Sequence, residues 1–351
     1  MAARFQRLEP DALATLKAAA SRADTGRSEA FLYGVFVGIL GQMSDSLKIA
    51  VVIPCFNEAS TVGKVVSDFA RALPQATIYV FDNNSTDETA ALAARAGAQV
   101  VPSPRQGKGN VIRHMGELIE ADLYVIADGD DTYPAEAAPE LIERFLQGSA
   151  DMVVATRLVE PDDRSFRPFH RFGNHLVSRL VSILFSASVT DVLSGYRVLS
   201  RELVKLIRLR APGFEVETEM TLQALTKRFE IEEVAIRYRS RPEGSVSKLN
   251  TWSDGFLIIK CIFLILKDYR PLVFFTGIAA LFAIASLASG LGPVLEFYET
   301  GLVLRIPRAI LAVGLGLCAA LSLLAGTILD TISNYHLEMV ELWKQQLRKR
   351  D

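Results

Sequence analysis

LYVIADGDDTYP, residues 123–134, reads as a short buried strand running into a turn that carries three carboxylates, Asp128, Asp130 and Asp131. A brief apolar run closed by turn-forming residues is the pattern of a strand covered on both faces. In an open α/β sheet, ligands bind beyond the carboxyl ends of the strands, which is where these acids stand. Asp128 and Asp130 are two apart, and Gly129 between them lets the backbone turn tightly. Their oxygens can converge on one hard cation, Mg²⁺ or Mn²⁺, that also touches a diphosphate. A solvated acidic turn is the alternative when the motif stands by itself.

Upstream, the chain repeats one unit. KIAVVIP (48–54) is a continuous apolar run rich in β-branched residues, and Asn57 and Glu58 then open a helix from Ala59 to about Leu73. Val62, Val65, Val66 and Phe69 recur along it at helical spacing. Thr77–Phe81 is a second strand, followed by DNNSTD (82–87), a helix near 87–96 and a short strand near 98–101. The loop PSPRQGKGN feeds a helix near 109–120 that leads into LYVIA. Further strands are expected at 151–156 and 231–238. Strands alternating with helices of this size predict an α/β fold with a mostly parallel sheet and right-handed crossovers.

The 351 residues hold enough chain for such a domain and a second element. A net charge of −2 provides no global basic field, which argues against a nucleic-acid partner. Cys55, Cys261 and Cys318 are scattered and odd in number, so neither a zinc site nor a disulfide framework is expected. In residues 1–46, Phe31–Met43 is apolar but short for a bilayer. It reads as a helix packed on the main domain or lying at a membrane surface, with a poorly ordered extension as the alternative.

The apolar excess collects near the C-terminus. No charged side chain lies between Arg270 and Glu296, or between Arg308 and Asp330. The second gap, about 21 residues, makes roughly 31 Å of helix, against a hydrocarbon core of about 30 Å. Two transmembrane helices over 270–330 are expected, with a hairpin loop around 296–308. Two crossings return the tail, 331–351, to the side of the large domain. Lys260, Lys267, Arg270, Lys344 and Arg348 on that side outnumber Arg305 and Arg308 in the loop, which points to the cytoplasm. Between domain and membrane, 251–269 reads as an amphipathic helix in the headgroup plane or as a continuation into the first span.

Asp82 and Asp87 bracket the end of the second strand, where a carboxylate can accept hydrogen bonds from a ribose or base N–H, or can cap a helix. Lys108 sits among glycines at a helix start, an arrangement that allows close approach to phosphate. IPCFNE (53–58), DNNSTDET (82–89), RQGKGN (105–110) and ADGDDTYP (127–134) occur in an order that resembles family-2 glycosyltransferases of GT-A fold. ATR (155–157), DVLSGYR (191–197), FEVETEM (214–220), RPEGSVSK (241–248) and the C-terminal pair of spans narrow the likeness. They resemble polyisoprenyl-phosphate glycosyltransferases, the group of dolichyl-phosphate mannose synthase and GtrB, over about 48–330, with 47–250 as the GT-A domain.

The resemblance implies that Pro54, Asn57, Glu58, Asp82 and Asn84 line the nucleotide pocket with Lys108, and that Asp128 and Asp130 hold the metal. Gly129 and Asp131 adjoin it, with Asp131 shaping the sugar pocket. Arg157 and Arg171, with Asn174 and His175 nearby, would grip the acceptor's lipid phosphate. Arg241, Ser247 and Lys248 would form a loop closing over the diphosphate, and Asp191 would orient acceptor or sugar. The implied reaction moves one sugar, with inversion, from a nucleotide sugar to polyisoprenyl phosphate; DGDDTYP favours a UDP-hexose or UDP-N-acetylhexosamine. It also implies a homo-oligomer, a tetramer among relatives, and Gly314, Gly316 and Gly326 would permit close helix packing. A processive polysaccharide synthase is the alternative, although it would carry a QxxRW segment not found here; a non-catalytic scaffold of the same fold is another.

Overall fold

The computed structural model describes residues 47–158, 178–239 apart from 180, 183, 184, 186, 188 and 214, positions 260, 263, 264 and 266–268, and 270–350. The expectations for residues 1–46, for Arg171, Asn174, His175, Arg241, Ser247 and Lys248, and for most of 251–269 lie outside the described residues.

Strands β1 (Ile49–Cys55), β2 (Thr77–Asp82), β3 (Gln99–Pro102) and β4 (Leu123–Ile126) form the first half of a seven-stranded sheet. β5 (Met152–Leu158), β6 (Arg197–Ser200) and β7 (Ile231–Arg237) complete it, in the order β3-β2-β1-β4-β6-β5-β7. β1 pairs parallel with β2 on one side and with β4 on the other, so the strand order reverses between β1 and β4. Such a switch point opens a crevice at the strands' carboxyl ends, and IPCFNE and DGDD both emerge into it. β6 is antiparallel to both β4 and β5, a reversal that the alternating strand–helix pattern does not announce.

The three helices expected near 59–73, 87–96 and 109–120 are present. α1 (Val62–Ala72) buries Val62, Val65, Val66 and Phe69 against one face of the sheet, with Val51, Ile53 and Val125 beneath. Each such side chain contributes about 2 kcal/mol through burial. α2 (Thr89–Arg95) and α3 (Lys108–Leu118) follow β2 and β3, and α4 (Ala138–Gln147) joins α1 on the first face through Leu141, Ile142 and Phe145. α5 (Arg201–Leu206) follows β6, and α6 (Val216–Thr226) is buried around nearly its whole circumference. Even Glu217, Glu219 and Gln223 of α6 are buried, so no polar stripe marks this helix in sequence.

Glu217 pairs with Lys108, whereas Glu219 and Gln223 are matched to a backbone segment. The Glu219 carboxylate accepts the N–H groups of Arg210 (2.8 Å) and Ala211 (2.7 Å). Gln223 accepts from Arg208 N–H and donates to its carbonyl, while Lys227 Nζ donates to the Leu206 carbonyl at 2.7 Å. The strand β6 carries its own buried cation, Arg197, at 1% exposure. Arg197 donates to the carbonyls of Ser194 (2.8 Å) and Val192 (2.9 Å) and to Thr221 Oγ1 (2.9 Å). It therefore locks the VLSG turn against α6.

The C-terminal unit begins at Phe256. It contains α7 (Pro271–Thr300) and α8 (Ile306–Arg350), two helices long and apolar enough to cross a membrane, with large apolar side chains such as Leu281, Leu287 and Leu317 exposed. Gly301 at φ 69° closes α7 in the left-handed conformation, its N–H donating to Phe297 carbonyl. Across the pair, Ser286 Oγ donates to the Ala312 carbonyl at 2.7 Å. A Cβ on Gly326 would lie 2.8 Å from Phe275 Cβ, and one on Gly316 3.4 Å from Ser286 Oγ, whereas Gly314 faces open space. Two of the three glycines thus serve packing inside the hairpin. α8 continues unbroken through position 330; its 45 residues span roughly 68 Å, about twice a hydrocarbon core.

Replacing Arg197 by Met is expected to cost about 3 kcal/mol, since it strands two buried carbonyls without restoring their partners. A lowered unfolding temperature of the purified protein checks this, and an unchanged one removes Arg197 as the lock on the 192–195 turn.

Candidate active site

Three loops meet at the switch point, and hydrogen bonds from short polar side chains join them. After β1, Asn57 adopts φ 53°, a left-handed conformation that asparagine tolerates better than most residues. Its side-chain oxygen accepts from Thr86 N–H at 2.7 Å, and its own N–H donates to Ser85 Oγ at 3.0 Å. Glu58 N–H donates to Thr89 Oγ1 at 2.8 Å, and Ala59 N–H to Asp87 Oδ2 at 3.1 Å. Asp87 is therefore a clamp between loops, and Asp82 accepts from Ser85 N–H at 3.3 Å. Burial by itself would raise the Asp87 pKa, but the hydrogen bonds from Thr89 and Ala59 outweigh it and hold the group below its ordinary value.

Asn83, which sequence reasoning passed over, fixes the glycine loop. Its amide donates to the carbonyls of Ser103 (2.9 Å) and Arg105 (2.7 Å), and its oxygen accepts Gly107 N–H at 2.7 Å. Asn84, at φ 64°, donates to Pro104 carbonyl at 3.1 Å. From the other side, Gly109 N–H donates to Pro212 carbonyl at 2.9 Å, and Arg113 donates to the carbonyls of Leu209 and Arg210. A Cβ on Gly107 or Gly109 would collide with the 211–212 backbone. The glycines of RQGKGN thus admit a neighbouring strand of backbone, the one held by Glu219 and Gln223.

The loop delivers Lys108 to the DGDD turn. Its ammonium ion-pairs with Asp128 and with Glu217 Oε1 (2.6 Å), and the lysine side chain is only 8% exposed. Burial works against its charge, but the two carboxylates dominate and keep the ammonium protonated well above the usual lysine range. Sequence reasoning placed Lys108 towards a phosphate; the structure places it on a carboxylate, with the buried Glu217 as its second partner. Burial and the neighbouring Asp128 raise the Glu217 pKa, and Lys108 opposes them.

Within the turn, Asp130 is buried and accepts from Thr132 Oγ1 at 2.6 Å and from Thr132 N–H at 3.2 Å. Gly129 lies in a turn, as expected, and is needed there for a further reason. Its φ is not positive, but a Cβ there would lie 2.6 Å from Cys55 Sγ, and its carbonyl accepts from Thr61 Oγ1 at 2.7 Å. The left-handed residue is Asp131, at φ 59°, held by Lys64 (2.7 Å) and Arg239 (3.6 Å). Asp131 thus faces cations from α1 and from the end of β7.

Arg157, at the end of β5, forms a fork with Asp191: Nε to Oδ2 and Nη2 to Oδ1, both at 2.8 Å. Its guanidinium lies 5.8 Å from the centre of the Tyr238 ring. Burial disfavours its charge, but Asp191 more than compensates. Glu233 fixes the Asp191 backbone, accepting from Thr190 N–H (2.8 Å) and Asp191 N–H (3.1 Å). Tyr133, buried with a raised pKa, accepts Gly195 N–H at 3.0 Å, and its ring lies 5.2 Å from that of Tyr238. Arg157 and Tyr133 both lie against the Tyr238 ring, and Tyr133 accepts the N–H of Gly195, so a chain of contacts runs from the Arg157–Asp191 pair to the glycine beside Lys108 and Asp128. Pro54 pairs across from Phe81 at the carboxyl end of β1, beside the same loops.

The donor set suits a hard cation: two carboxylates, one of which already draws an ammonium. Among the described residues no cluster of three or more His, Cys, Asp or Glu forms a complete cage. Asp128 and Asp130 would supply part of a coordination shell whose remaining oxygens come from a diphosphate and water. Gly195 packs over Lys108 and Asp128, and a Cβ there would lie 2.7 Å from Lys108 Nζ and 2.9 Å from Asp128 Oδ2. Gly195→Ala is therefore expected to displace both side chains and cut turnover at least tenfold while the unfolding temperature stays within a few degrees. Wild-type turnover in that variant would contradict the placement.

The family model of glycosyl transferase family 2 matches residues 50–207. Protein RfbJ of Shigella flexneri is 50% identical over 129 residues, 37% of this chain and 100% of that protein. Glycosyltransferase AglJ of Haloferax volcanii is 31% identical over 297 residues, 84% of this chain and 96% of its own. Dolichyl-phosphate hexose transferase of the same organism is 29% identical over 222 residues, 63% of this chain and 95% of its own. The structure of glucosyl-3-phosphoglycerate synthase from Mycobacterium tuberculosis, solved with Mn²⁺, UDP and glucosyl-3-phosphoglycerate, is similar with a TM-score of 0.55 at 24% identity. That likeness, over 67% of this chain and 84% of the other, is one of fold. With AglJ aligned along most of both chains and the family model spanning β1 to β6, the chain belongs to glycosyltransferase family 2.

Proposed function

We propose that this enzyme transfers one sugar, a hexose or N-acetylhexosamine carried on UDP, to polyisoprenyl phosphate at the cytoplasmic face of a membrane, inverting the anomeric centre. The observation that carries the reading is the link at the strand ends between the Lys108–Asp128 pair and the Arg157–Asp191 fork, which runs through Gly195, Tyr133 and Tyr238. The acids suit the donor diphosphate and the arginine suits an anionic acceptor. Support for a lipid acceptor comes from two features: the relative named dolichyl-phosphate hexose transferase, and α7 and α8.

The chemistry asks little of a general base. A phosphate monoester is already anionic near neutral pH, so one of its oxygens bonds to the anomeric carbon as the bond to the diphosphate breaks, and the electron pair leaves with the nucleotide. The protein's task is positioning and electrostatic stabilisation. Pro54, Asn57, Glu58, Asp82 and Asn84 form the rim that takes the nucleoside, on loops already fixed to each other by Ser85, Thr86 and Thr89. Mg²⁺ or Mn²⁺, held by Asp128 and Asp130, supplies neutralisation of the diphosphate charge. The fold neighbour solved with Mn²⁺ and UDP accommodates that same ligand combination.

Asp191 fixes the plane of the Arg157 guanidinium, so that the acceptor phosphate meets an oriented fork donor. By family likeness, Arg171, Asn174 and His175 are assigned with Arg157 to binding the acceptor phosphate, and Arg241, Ser247 and Lys248 to binding the donor diphosphate. The excess of Lys and Arg beside the spans on the domain's side supports a cytoplasmic active site.

Purified enzyme, Mn²⁺, a polyisoprenyl phosphate and a panel of labelled sugar nucleotides test this directly, with label passing into the lipid phase as the readout. One UDP-sugar is expected to transfer label, and Asp130→Ala to abolish it in a folded protein. Label confined to water-soluble or polymeric product would overturn the acceptor, and full transfer by Asp130→Ala the metal assignment.

A further inference from the structure

The Lys108 ammonium lies between two carboxylates of different standing. Asp128 is 28% exposed at the side chain and belongs to the pair assigned to the cation. Glu217 is 7% exposed, lies behind it on α6, and has no part in donor or acceptor binding as derived above. Glu217 Oε1 takes one bond from Lys108 at 2.6 Å, while Oε2 is buried without a hydrogen-bond partner among the described residues. A buried carboxylate oxygen with no donor is costly, and an ammonium brings three donors and no acceptor. Glu217 thus has an open position for a second bond from the same lysine.

The surroundings permit motion of the lysine's end and of little else. Gly107 N–H and Gly109 N–H are bonded to Asn83 Oδ1 (2.7 Å) and Pro212 carbonyl (2.9 Å), which fixes the backbone on either side. Gly195 has no Cβ to block the tip, since one would stand 2.7 Å from Nζ. We propose that Lys108 is an internal counter-ion that holds Asp128 in the metal-free enzyme and withdraws onto Glu217 when the divalent cation arrives, making Glu217 a positioning residue for the metal carboxylate. This rests on the metal reading of Asp128 and Asp130 and adds how that site is kept in order between turnovers. Two like charges cannot share Asp128 closely, so the lysine needs a destination, and Glu217 is a buried acid already in contact with it.

Binding of Mn²⁺ to the full-length protein in detergent, read from the electron paramagnetic resonance signal of the free ion with and without UDP, tests this without relying on turnover. Glu217→Gln is expected to weaken Mn²⁺ binding at least tenfold, because the ammonium then stays on Asp128. Lys108→Met, or Lys108→Gln should the first fail to fold, is expected to tighten Mn²⁺ binding in the absence of UDP at least fivefold. The decisive comparison is the double variant: once Lys108 is gone, Glu217→Gln should cost less than twofold. An equal loss with and without Lys108 would show that Glu217 acts by its field alone and overturn the proposal, as would a Lys108 variant that binds Mn²⁺ no tighter than wild type. Asp128→Asn separates the two levels of the argument. If it leaves Mn²⁺ binding intact, the metal reading fails and this inference with it; if it abolishes binding while the Lys108 and Glu217 variants behave as wild type, only the counter-ion role is lost.

Discussion

A protonated amine held out of water between two acids is the constraint on which the strand-end surface depends. Taking an ammonium from water into protein costs several kcal/mol unless carboxylates of good geometry replace the solvent. Lys108 obtains them from two elements far apart in sequence, the turn after β4 and the helix α6. For the three groups to meet, the glycine loop has to lie against the 211–212 backbone, and Gly195 must pass without a side chain. Asn83, Glu219 and Gln223 hold the pieces to that arrangement. A second pair, Arg157 with Asp191, repeats the device at the end of β5, where Glu233 and Arg197 fix the turn that carries Asp191.

The fold was legible wherever burial is periodic. β1, β2, β4 and α1 all follow from apolar runs and helical spacing, because in these elements one face or both faces meet the core. Legibility ends where polar groups are buried. β6 opens with a charged residue, Arg197, whose partners are carbonyls of its own preceding turn. α6 hides Glu217, Glu219 and Gln223, which periodicity would assign to a wet surface. Their signal was compositional, an acid-rich FEVETEM segment with no apolar stripe, and only the tertiary fold supplies what they bind: Lys108 for Glu217, and the 208–211 backbone for Glu219 and Gln223.

Within the site the carboxylates were readable and their geometry was not. DGDD promised a tight turn at Gly129, and the turn is there, but its left-handed residue is Asp131 and the glycine also makes room for Cys55. Lys108 was read beside a phosphate, and its carboxylate partners, Asp128 and Glu217, were not read at all. Both differences have one origin: spacing reports which residues are near each other along the chain, and the pairings were decided by contacts across loops. The hairpin was legible for the opposite reason. Absence of charge over a bilayer's thickness is a local property, and α7 and α8 follow it, although α8 runs on past the apolar segment into the charged tail.

The central claim is that Asp128 and Asp130 share one divalent cation with the donor's diphosphate. Crystals grown with Mn²⁺ and UDP, with anomalous diffraction recorded at the manganese edge, test it most directly. The account predicts one strong anomalous peak within coordinating distance, about 2.2 Å, of both carboxylates and of a diphosphate oxygen. A peak that touches neither acid, or UDP bound with no metal at the turn after β4, would contradict it.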